Sequence, residues 1–381
     1  MKTRTFPVFF AFLVMGFGDA VGPFVGLAKN EFGLSNTMAY LIPFMGFIMF
    51  GLLSVPMGVF QAKKGKKFVL LLGLTVMLFG ISIPIFGLSS FYLLLITVLL
   101  LGAGATILQV AGNPIMRDVS DEGKYSRNLS LAQFVKAIGS LTGPVIPAIA
   151  ASFFGADWKV VFPLYAIALL ITIASVASLN VVEKRTEEHA PVTLRSCLAL
   201  LRNGYVFMMV AAIFLYVGAE VCMSSGIPIY LESRFGMRIE ELGVLGTGLF
   251  FTSLMIGRFL GGITLIWVSP KRFFIVTVLV SFIAVLGLFT GIAAVVVVSV
   301  ILVGLGFANI FPLVFSITVD SMPEKTNELS GLMITAIVGG AFIPPVMGLA
   351  ADHTSVTAGF IVPLIALVYI GWTALRNLRV S

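Results

Sequence analysis

Residues 101–114 read LGAGATILQVAGNP, an apolar stretch that carries three glycines, a glutamine, an asparagine and a proline. A second run, LVGLGFANIF at residues 302–311, repeats two of the glycines, because Gly102 matches Gly304 and Gly104 matches Gly306 at an offset of 202. Pro144 and Pro344 match at an offset of 200. A repeat at about half the chain length predicts two similar halves with a central site between them.

The composition places the chain in a membrane. Of its 381 residues, 59% are hydrophobic and 11% are charged, whereas soluble domains have about 25% charged residues. Apolar runs of about 20 residues predict helices rather than the strands of a barrel. Two cysteines, Cys197 and Cys222, predict no disulfide framework. The fold class is therefore an all-α integral membrane protein.

Twelve apolar segments are long enough to cross a bilayer. They cover residues 6–28, 38–61, 68–87, 91–115, 129–154, 159–181, 204–230, 241–266, 272–290, 293–318, 329–350 and 356–375. The most polar stretch, EKRTEEHAPVTLRS, follows the sixth segment. We therefore predict two pseudo-symmetric six-helix bundles, residues 1–181 and 204–381, joined by a cytoplasmic linker at 182–203. The basic start resembles a signal peptide, but its apolar run lacks a cleavage signal, so we expect a retained first helix.

Lysines and arginines predict the orientation. Eighteen of the 24 fall on the side that carries the termini, four fall on the other side and two lie inside spans. Cytoplasmic loops are enriched in these residues, so both termini are predicted to be cytoplasmic, in a bacterial inner membrane. The net charge of +7 then belongs to those loops, and no nucleic-acid partner is expected.

Polar residues inside the spans mark the predicted site. An ionisable group at mid-membrane costs about 2.5–3.5 kcal/mol on insertion scales, so it usually faces a cavity or a partner. The residues that fall inside predicted spans are Asp19, Gln109, Asn113, Gln133, Lys136, Glu220, Arg258 and Asn309. We expect most of them to line one water-filled cavity. Asp320 and Asp352 fall at span ends, where an interfacial position explains them.

Two structural readings remain open. The run GDAVGP at 18–23 predicts an interrupted helix, in which Asp19 could accept from freed N–H groups. Lys136 could be a counter-ion of Asp19 or Glu220. The chain has no HExxH or GxSxG motif and no paired His or Cys, so we predict neither an enzyme nor a metal site or cofactor.

Several runs carry a family resemblance. GVFQAKKGKK at 58–67 resembles the loop between spans two and three of the major facilitator superfamily, with Ala62 where that family has an acid. Four further runs resemble its fucose–proton symporter family, which includes glucose, galactose and N-acetylglucosamine transporters. They are LQVAGNP (108–114), SLAQFVKAIGSLTGP (130–144), FLYVGAEV (214–221) and AIVGGAFIPPVMGLAAD (336–352).

The resemblance implies roles for individual residues. Asp19 matches an acid implicated in proton coupling, and Glu220 lies in the span-seven signature. Gln133 matches a glutamine that contacts sugar. Gln109 stands where fucose-type members have a glutamate and glucose-type members a glutamine, and a sugar contact is expected there too. Lys136 stands where an asparagine is usual, so it either binds an acidic sugar or organic anion, or pairs with an acid. Substrate contacts are also expected at Asn113 and Asn309, ring stacking at Phe311 or Tyr216, and gating at Arg258, Lys66 and Lys67.

These observations predict a proton-coupled importer of a monosaccharide or derivative, working as a monomer by alternating access. Sodium coupling stays open. The rival class is a proton-coupled exporter of small organic compounds, whose cavity should be apolar. Gln109, Gln133 and Lys136 argue against such a cavity.

Overall fold

The computed structural model describes residues 6–18, 21–87, 90–119, 125–179, 195, 199–236, 247–265, 267–322 and 325–379. All the regular secondary structure in these ranges is helical. The α-helices are α1 (Phe6–Met15), α2 (Val21–Phe32), α3 (Asn36–Ala39), α4 (Leu41–Lys64), α5 (Lys66–Ile85), α6 (Phe91–Val119), α7 (Tyr125–Phe154), α8 (Val161–Ala177), α9 (Gly204–Phe235), α10 (Thr247–Thr264), α11 (Pro270–Leu288), α12 (Ala293–Phe307), α13 (Ile310–Ser321), α14 (Thr326–Thr335), α15 (Gly339–His353), α16 (Val356–Gly359) and α17 (Ile361–Arg379).

The helices reproduce the predicted spans. In the described residues, ten helical segments are long and apolar enough to cross a membrane, and two further apolar helices, Phe6–Gly18 and Gly248–Thr264, are shorter. Each of these twelve corresponds to one predicted span. The predicted linker, 182–203, lies mostly outside the described residues, so its prediction stands untested.

Three predicted spans are interrupted well away from their ends. The first has α1, a 3₁₀ turn at Gly16–Gly18 and then α2, as the GDAVGP run suggested. The tenth divides into α12 and α13, and the eleventh has a 3₁₀ turn at Ala336–Val338 between α14 and α15. Glycines at or beside the first and third breaks weaken the helix there, because they have low helix propensity. A composition-based span cannot reveal such breaks, since an interrupted helix is as apolar as a continuous one.

The seventh span, α9, shows how local sequence sets helix ends. The side chain of Asn203 accepts from the N–H groups of Tyr205 and Val206 at 2.9 and 3.4 Å, the usual role of asparagine before a helix. Gly236 follows the last turn with a φ of 66°, a left-handed conformation that favours glycine. The helix therefore extends five residues beyond the predicted end at residue 230.

Helix packing repeats between the two halves. In the first half, α6 packs on α4 and α5, α5 also packs on α8, and α1 packs on α7. In the second half, α12 packs on α10 and α11, α11 also packs on α17, and α9 packs on α15. Each pair has its counterpart at the matching span, so the weak sequence repeat reflects a repeated architecture.

Glycines at repeated positions allow the closest helix contacts. A Cβ on Gly139 of α7 would overlap the carbonyl oxygen of Leu13, and one on Gly339 would overlap the carbonyl oxygen of Phe214. Gly102 and Gly304, the pair first seen in the sequence, meet α4 and α10 in the same way. Small residues let helix backbones approach in membranes, where packing and not water drives helix association.

The halves meet through helices that the repeat relates. The pairs are α7 with α10 and α4 with α15, and α2 packs on α9. We call the end of the bundle opposite residues 6 and 379 the distal end. The loop between α2 and α4 and the loop between α15 and α17 both lie there.

Candidate functional site

Gln109 is the best-defined polar residue of the expected cavity. It lies in α6 with 5% of its surface exposed, and its Oε1 atom has no hydrogen-bond partner in the described part of the chain. A buried polar atom without a partner costs about 1–3 kcal/mol. Such an atom is a natural acceptor for a ligand hydroxyl.

Helix α7 carries the next two expected residues. Gln133 and Lys136 are three residues apart on one face, and both are partly buried. Lys136 makes interactions of its own. Its backbone lies against the first span, because a Cβ on Gly16 would overlap the Lys136 carbonyl oxygen. The interrupted helix therefore sits directly on the part of α7 that carries Lys136.

The break in the first span is held on two sides. The ring of Phe17 stacks on Tyr165 of α8, with centroids 3.7 Å apart and planes 2° from parallel. The Tyr165 hydroxyl lies 2.9 Å from the Thr142 hydroxyl of α7. Gly18 lies close to Ala105, one turn before Gln109 on α6. The residues that precede Asp19 are thus packed between the helices that carry Gln109 and Lys136.

The second half contains an ion pair inside the membrane region. Arg258 Nη2 of α10 lies 3.7 Å from Glu220 Oε1 of α9, and the side chains are 21% and 20% exposed. The distance exceeds that of a hydrogen bond, so the contact is electrostatic. Pairing offsets part of the penalty of burying either charge alone. Glu220 also makes further interactions.

Asn309, an expected sugar contact, uses its amide nitrogen in a bond between helices. Its Nδ2 donates to the Gly257 carbonyl oxygen of α10 at 2.8 Å, and its side chain lies against Gly261. Asn309 is buried at the break between α12 and α13. The amide is thereby committed to a contact between helices, and this geometry does not support the predicted sugar contact.

The two aromatic residues expected to stack on sugar differ. Tyr216 is fully buried, and its hydroxyl donates to the Phe307 carbonyl oxygen at 2.9 Å. That ring has no open face, so its predicted stacking role is not supported. Phe311 is partly buried against Phe315, with ring centroids 5.9 Å apart, and it keeps its place as a candidate.

The predicted gating lysines lie at the end that carries the termini. Lys67 Nζ donates to the Ala177 carbonyl oxygen at the end of α8, at 2.7 Å. This bond joins two helices of the same half. Lys66, the first residue of α5, also makes interactions. Asp19 and the side chain of Asn113 lie outside the described part of the structure, so their predicted roles stand untested.

Sequence reasoning missed one residue, Asp352. We expected an interfacial side chain, but its carboxylate binds Asn36 and Thr37 from the first half. No local pattern announced the contact, because the partners are 316 and 315 residues apart. The sequence offers only one indication of this contact, an acidic residue at the end of a predicted span.

Known proteins resemble the chain along nearly its whole length. A glucose/galactose transporter of Brucella abortus is 27% identical over 366 residues, covering 91% of this chain and 87% of that protein. A putative glucose/galactose transporter of Helicobacter pylori is 28% identical and covers 97% and 95%. The L-fucose–proton symporter of Escherichia coli is 22% identical and covers 85% and 81%.

Solved structures share the fold. A crystal structure of the E. coli fucose:proton symporter FucP, carrying one substitution, matches with a TM-score of 0.72 at 18% identity, covering 98% of this chain and 97% of that one. FucP in the outward conformation matches with a TM-score of 0.71 at 19% identity, covering 99% of both chains. The family model of the Major Facilitator Superfamily matches residues 8–345. The chain therefore belongs to the major facilitator superfamily, and it is a multi-pass membrane transporter rather than an enzyme.

Proposed function

We propose that the protein imports a monosaccharide or a derivative together with a proton, by alternating access to a site between its halves. The observation that carries the proposal is the buried Oε1 of Gln109 in α6, which has no hydrogen-bond partner among the described residues. Sugar hydroxyls are donors that match such an acceptor. The names of the relatives support the same class of substrate.

We assign the substrate contacts to the first half and coupling acids to both halves. Gln109, Gln133 and Asn113 hydrogen-bond the sugar. Asp19 takes up the coupling proton. The described residues that precede it support this role, since Gly16 packs against α7 and Gly18 against α6. Glu220 is the second coupling acid, held by Arg258, so that Arg258 gates through that pair. Lys66 and Lys67 act in gating at the end that carries the termini.

The role of Lys136 decides between two classes of substrate. It is either the counter-ion of an acid, in which case the sugar is neutral, or the group that binds the carboxylate of an acidic sugar. The partial burial of Lys136 on the face of Gln133 favours neither. This choice defines the first experiment.

The experiment is uptake into proteoliposomes under an inward proton gradient. The labelled panel contains fucose, glucose, galactose, N-acetylglucosamine, glucuronate and sialic acid, tested on the wild type and on Lys136→Asn. Uptake of a neutral hexose that the variant still recognises assigns Lys136 as a counter-ion. Uptake of acidic sugars alone, lost in the variant, assigns it to the substrate. No accumulation of any sugar under proton or sodium gradients would overturn the proposal.

Proton coupling has its own test. Asp19→Asn should abolish uphill uptake while leaving counterflow exchange, because exchange needs no net proton movement. A sodium gradient in place of the proton gradient should drive nothing in the wild type. Uphill uptake by the Asp19→Asn variant would remove the coupling role.

The remaining features of the proposal concern the whole chain. We propose that it works as a monomer in a bacterial inner membrane, with both termini and the linker at 182–203 in the cytoplasm. The large apolar side chains exposed along the helices, such as Phe79, Phe207 and Ile365, support a lipid-facing surface. The excess of Lys and Arg near the termini supports the orientation.

A further inference from the structure

The distal end contains a dense set of hydrogen bonds between the two halves. One Asp352 oxygen accepts from the Asn36 N–H at 3.1 Å and from Asn36 Nδ2 at 2.6 Å. The other accepts from the Thr37 N–H at 2.8 Å and from Thr37 Oγ1 at 2.6 Å. Asp352 ends the eleventh span, whereas Asn36 and Thr37 begin the second. A single carboxylate therefore receives four donors from the opposite half.

The helices beneath this contact are closely packed. The Tyr40 ring is buried against Gly348, one turn before Asp352, where a Cβ would lie 2.6 Å from the ring. Lys29 Nζ donates to Asn36 Oδ1 at 2.8 Å, which fixes the Asn36 amide with its Nδ2 towards Asp352. The polar contact is thus next to a close packing contact between the same two halves, the Tyr40 ring on Gly348.

A neighbouring contact between the halves is weaker. Asn30 Nδ2 lies 3.1 and 3.4 Å from the two carboxylate oxygens of Glu232, in an exposed setting. Glu31, the next residue, binds within its own half: its carboxylate accepts from Trp158 Nε1 at 2.8 Å and pairs with Lys159. At the distal end, Asp352 and Glu232 therefore join the two halves, whereas Glu31 binds only within its own half.

We propose that Asp352 is a latch that holds the distal end of the transporter closed. The proposal rests on the alternating-access function proposed above, since access from the distal side requires these two halves to separate. Opening exchanges four hydrogen bonds to a charged acceptor for bonds to water, and hydrogen bonds to charged groups are the stronger ones. The latch sets how often the empty protein opens distally.

The test is a distance measurement between spin labels on the two halves. Phe154 and Ile292 lie at the distal end of opposite halves and are 78% and 59% exposed. Labels are attached at Phe154→Cys and Ile292→Cys after replacement of Cys197 and Cys222, and distances are measured by pulsed electron resonance. Asp352→Asn should raise the ratio of long to short distances about tenfold, because its NH₂ group would face N–H donors.

The control is Glu31→Gln, which removes the same charge at the same end but from a contact inside one half. It should leave the distance distribution unchanged. Thr37→Val, which removes one donor only, should shift the ratio in the direction of Asp352→Asn by a smaller factor, and it serves if Asp352→Asn does not fold. Distributions of Asp352→Asn and Thr37→Val that match the control would overturn the latch.

The measurement needs no substrate. A distance shift in a protein that accumulates no sugar would keep the latch and overturn the proposed substrate. Normal sugar uptake with no distance shift would overturn the latch alone.

Discussion

At the scale of single residues, the polar side chains of the site differ in whether they have hydrogen-bond partners within the protein. Asn309 has its partner in Gly257, whereas Gln109 Oε1 has none in the described residues. Both are predicted sugar contacts, since each is a carboxamide inside an apolar span. The structure distinguishes them, because the Asn309 amide nitrogen bonds to a neighbouring helix, whereas Gln109 Oε1 is available to a ligand.

Gln109→Leu should leave the unliganded protein as stable or up to about 1–3 kcal/mol more stable, because it removes an unsatisfied buried acceptor. Substrate affinity should fall about 10-fold or more through the lost hydrogen bond. Thermal unfolding in detergent and the KM of uptake measure the two effects. Ser225→Ala is the control, since Ser225 Oγ is also buried with no partner in the described part of the chain but is not proposed to bind sugar. A leucine variant that is less stable with unchanged KM would contradict the assignment.

The Glu220–Arg258 pair gives a second prediction at this scale. Glu220→Gln and Arg258→Met should each lower stability, since each leaves a partly buried charge. The double variant should lose less than the sum, with a coupling of about 1 kcal/mol, because the atoms are 3.7 Å apart and both side chains are about one-fifth exposed. A double-mutant cycle of unfolding free energies isolates this coupling from the other interactions of Glu220. Additive losses would show that the pair contributes nothing.

At the scale of helices, the repeat appears as matched glycine contacts. Gly139 and Gly339 each meet the backbone of a helix in their own half, at Leu13 and Phe214. A side chain in either place would push two backbones apart, and backbones are less able to adjust than the ends of side chains. The sequence repeat of small residues is therefore a repeat of helix contacts.

Gly139→Ala and Gly339→Ala should each destabilise the protein by about 1–3 kcal/mol through overpacking. Gly262→Ala is the matched control: Gly262 lies in α10 with nothing within 4 Å of an added Cβ. That change should be neutral or stabilise by up to about 1 kcal/mol, the difference in helix propensity. Unfolding midpoints of the three purified variants test the contrast, and equal effects at all three positions would contradict the packing argument.

At the scale of the whole molecule, the charge distribution sets the orientation. The termini share one end of the bundle with most of the lysines and arginines. By the predicted spans, the other side carries four, Lys29, Lys159, Arg234 and Arg238, of which Lys159 pairs with Glu31. The asymmetry favours insertion with the termini in the cytoplasm.

Reporter fusions test that orientation. Green fluorescent protein fused after Ser381 should fluoresce, because it folds in the cytoplasm. Alkaline phosphatase fused after Thr290, in the distal loop between α11 and α12, should be active because it reaches the other side. Phosphatase activity at Ser381 together with a silent fusion at Thr290 would reverse the assigned orientation.

The sequence by itself determined the membrane class, the twelve spans, the two repeated halves and the interruption of the first span. These features depend on composition and local spacing, because apolar runs partition into lipid and glycines weaken a helix whatever its tertiary contacts. The tertiary structure alone decided which polar groups have partners. Arg258 with Glu220, Asn309 with Gly257, and Asp352 with Asn36 join different helices, the last across 316 residues. No local pattern encodes such pairs, because they exist only once packing has brought the helices together.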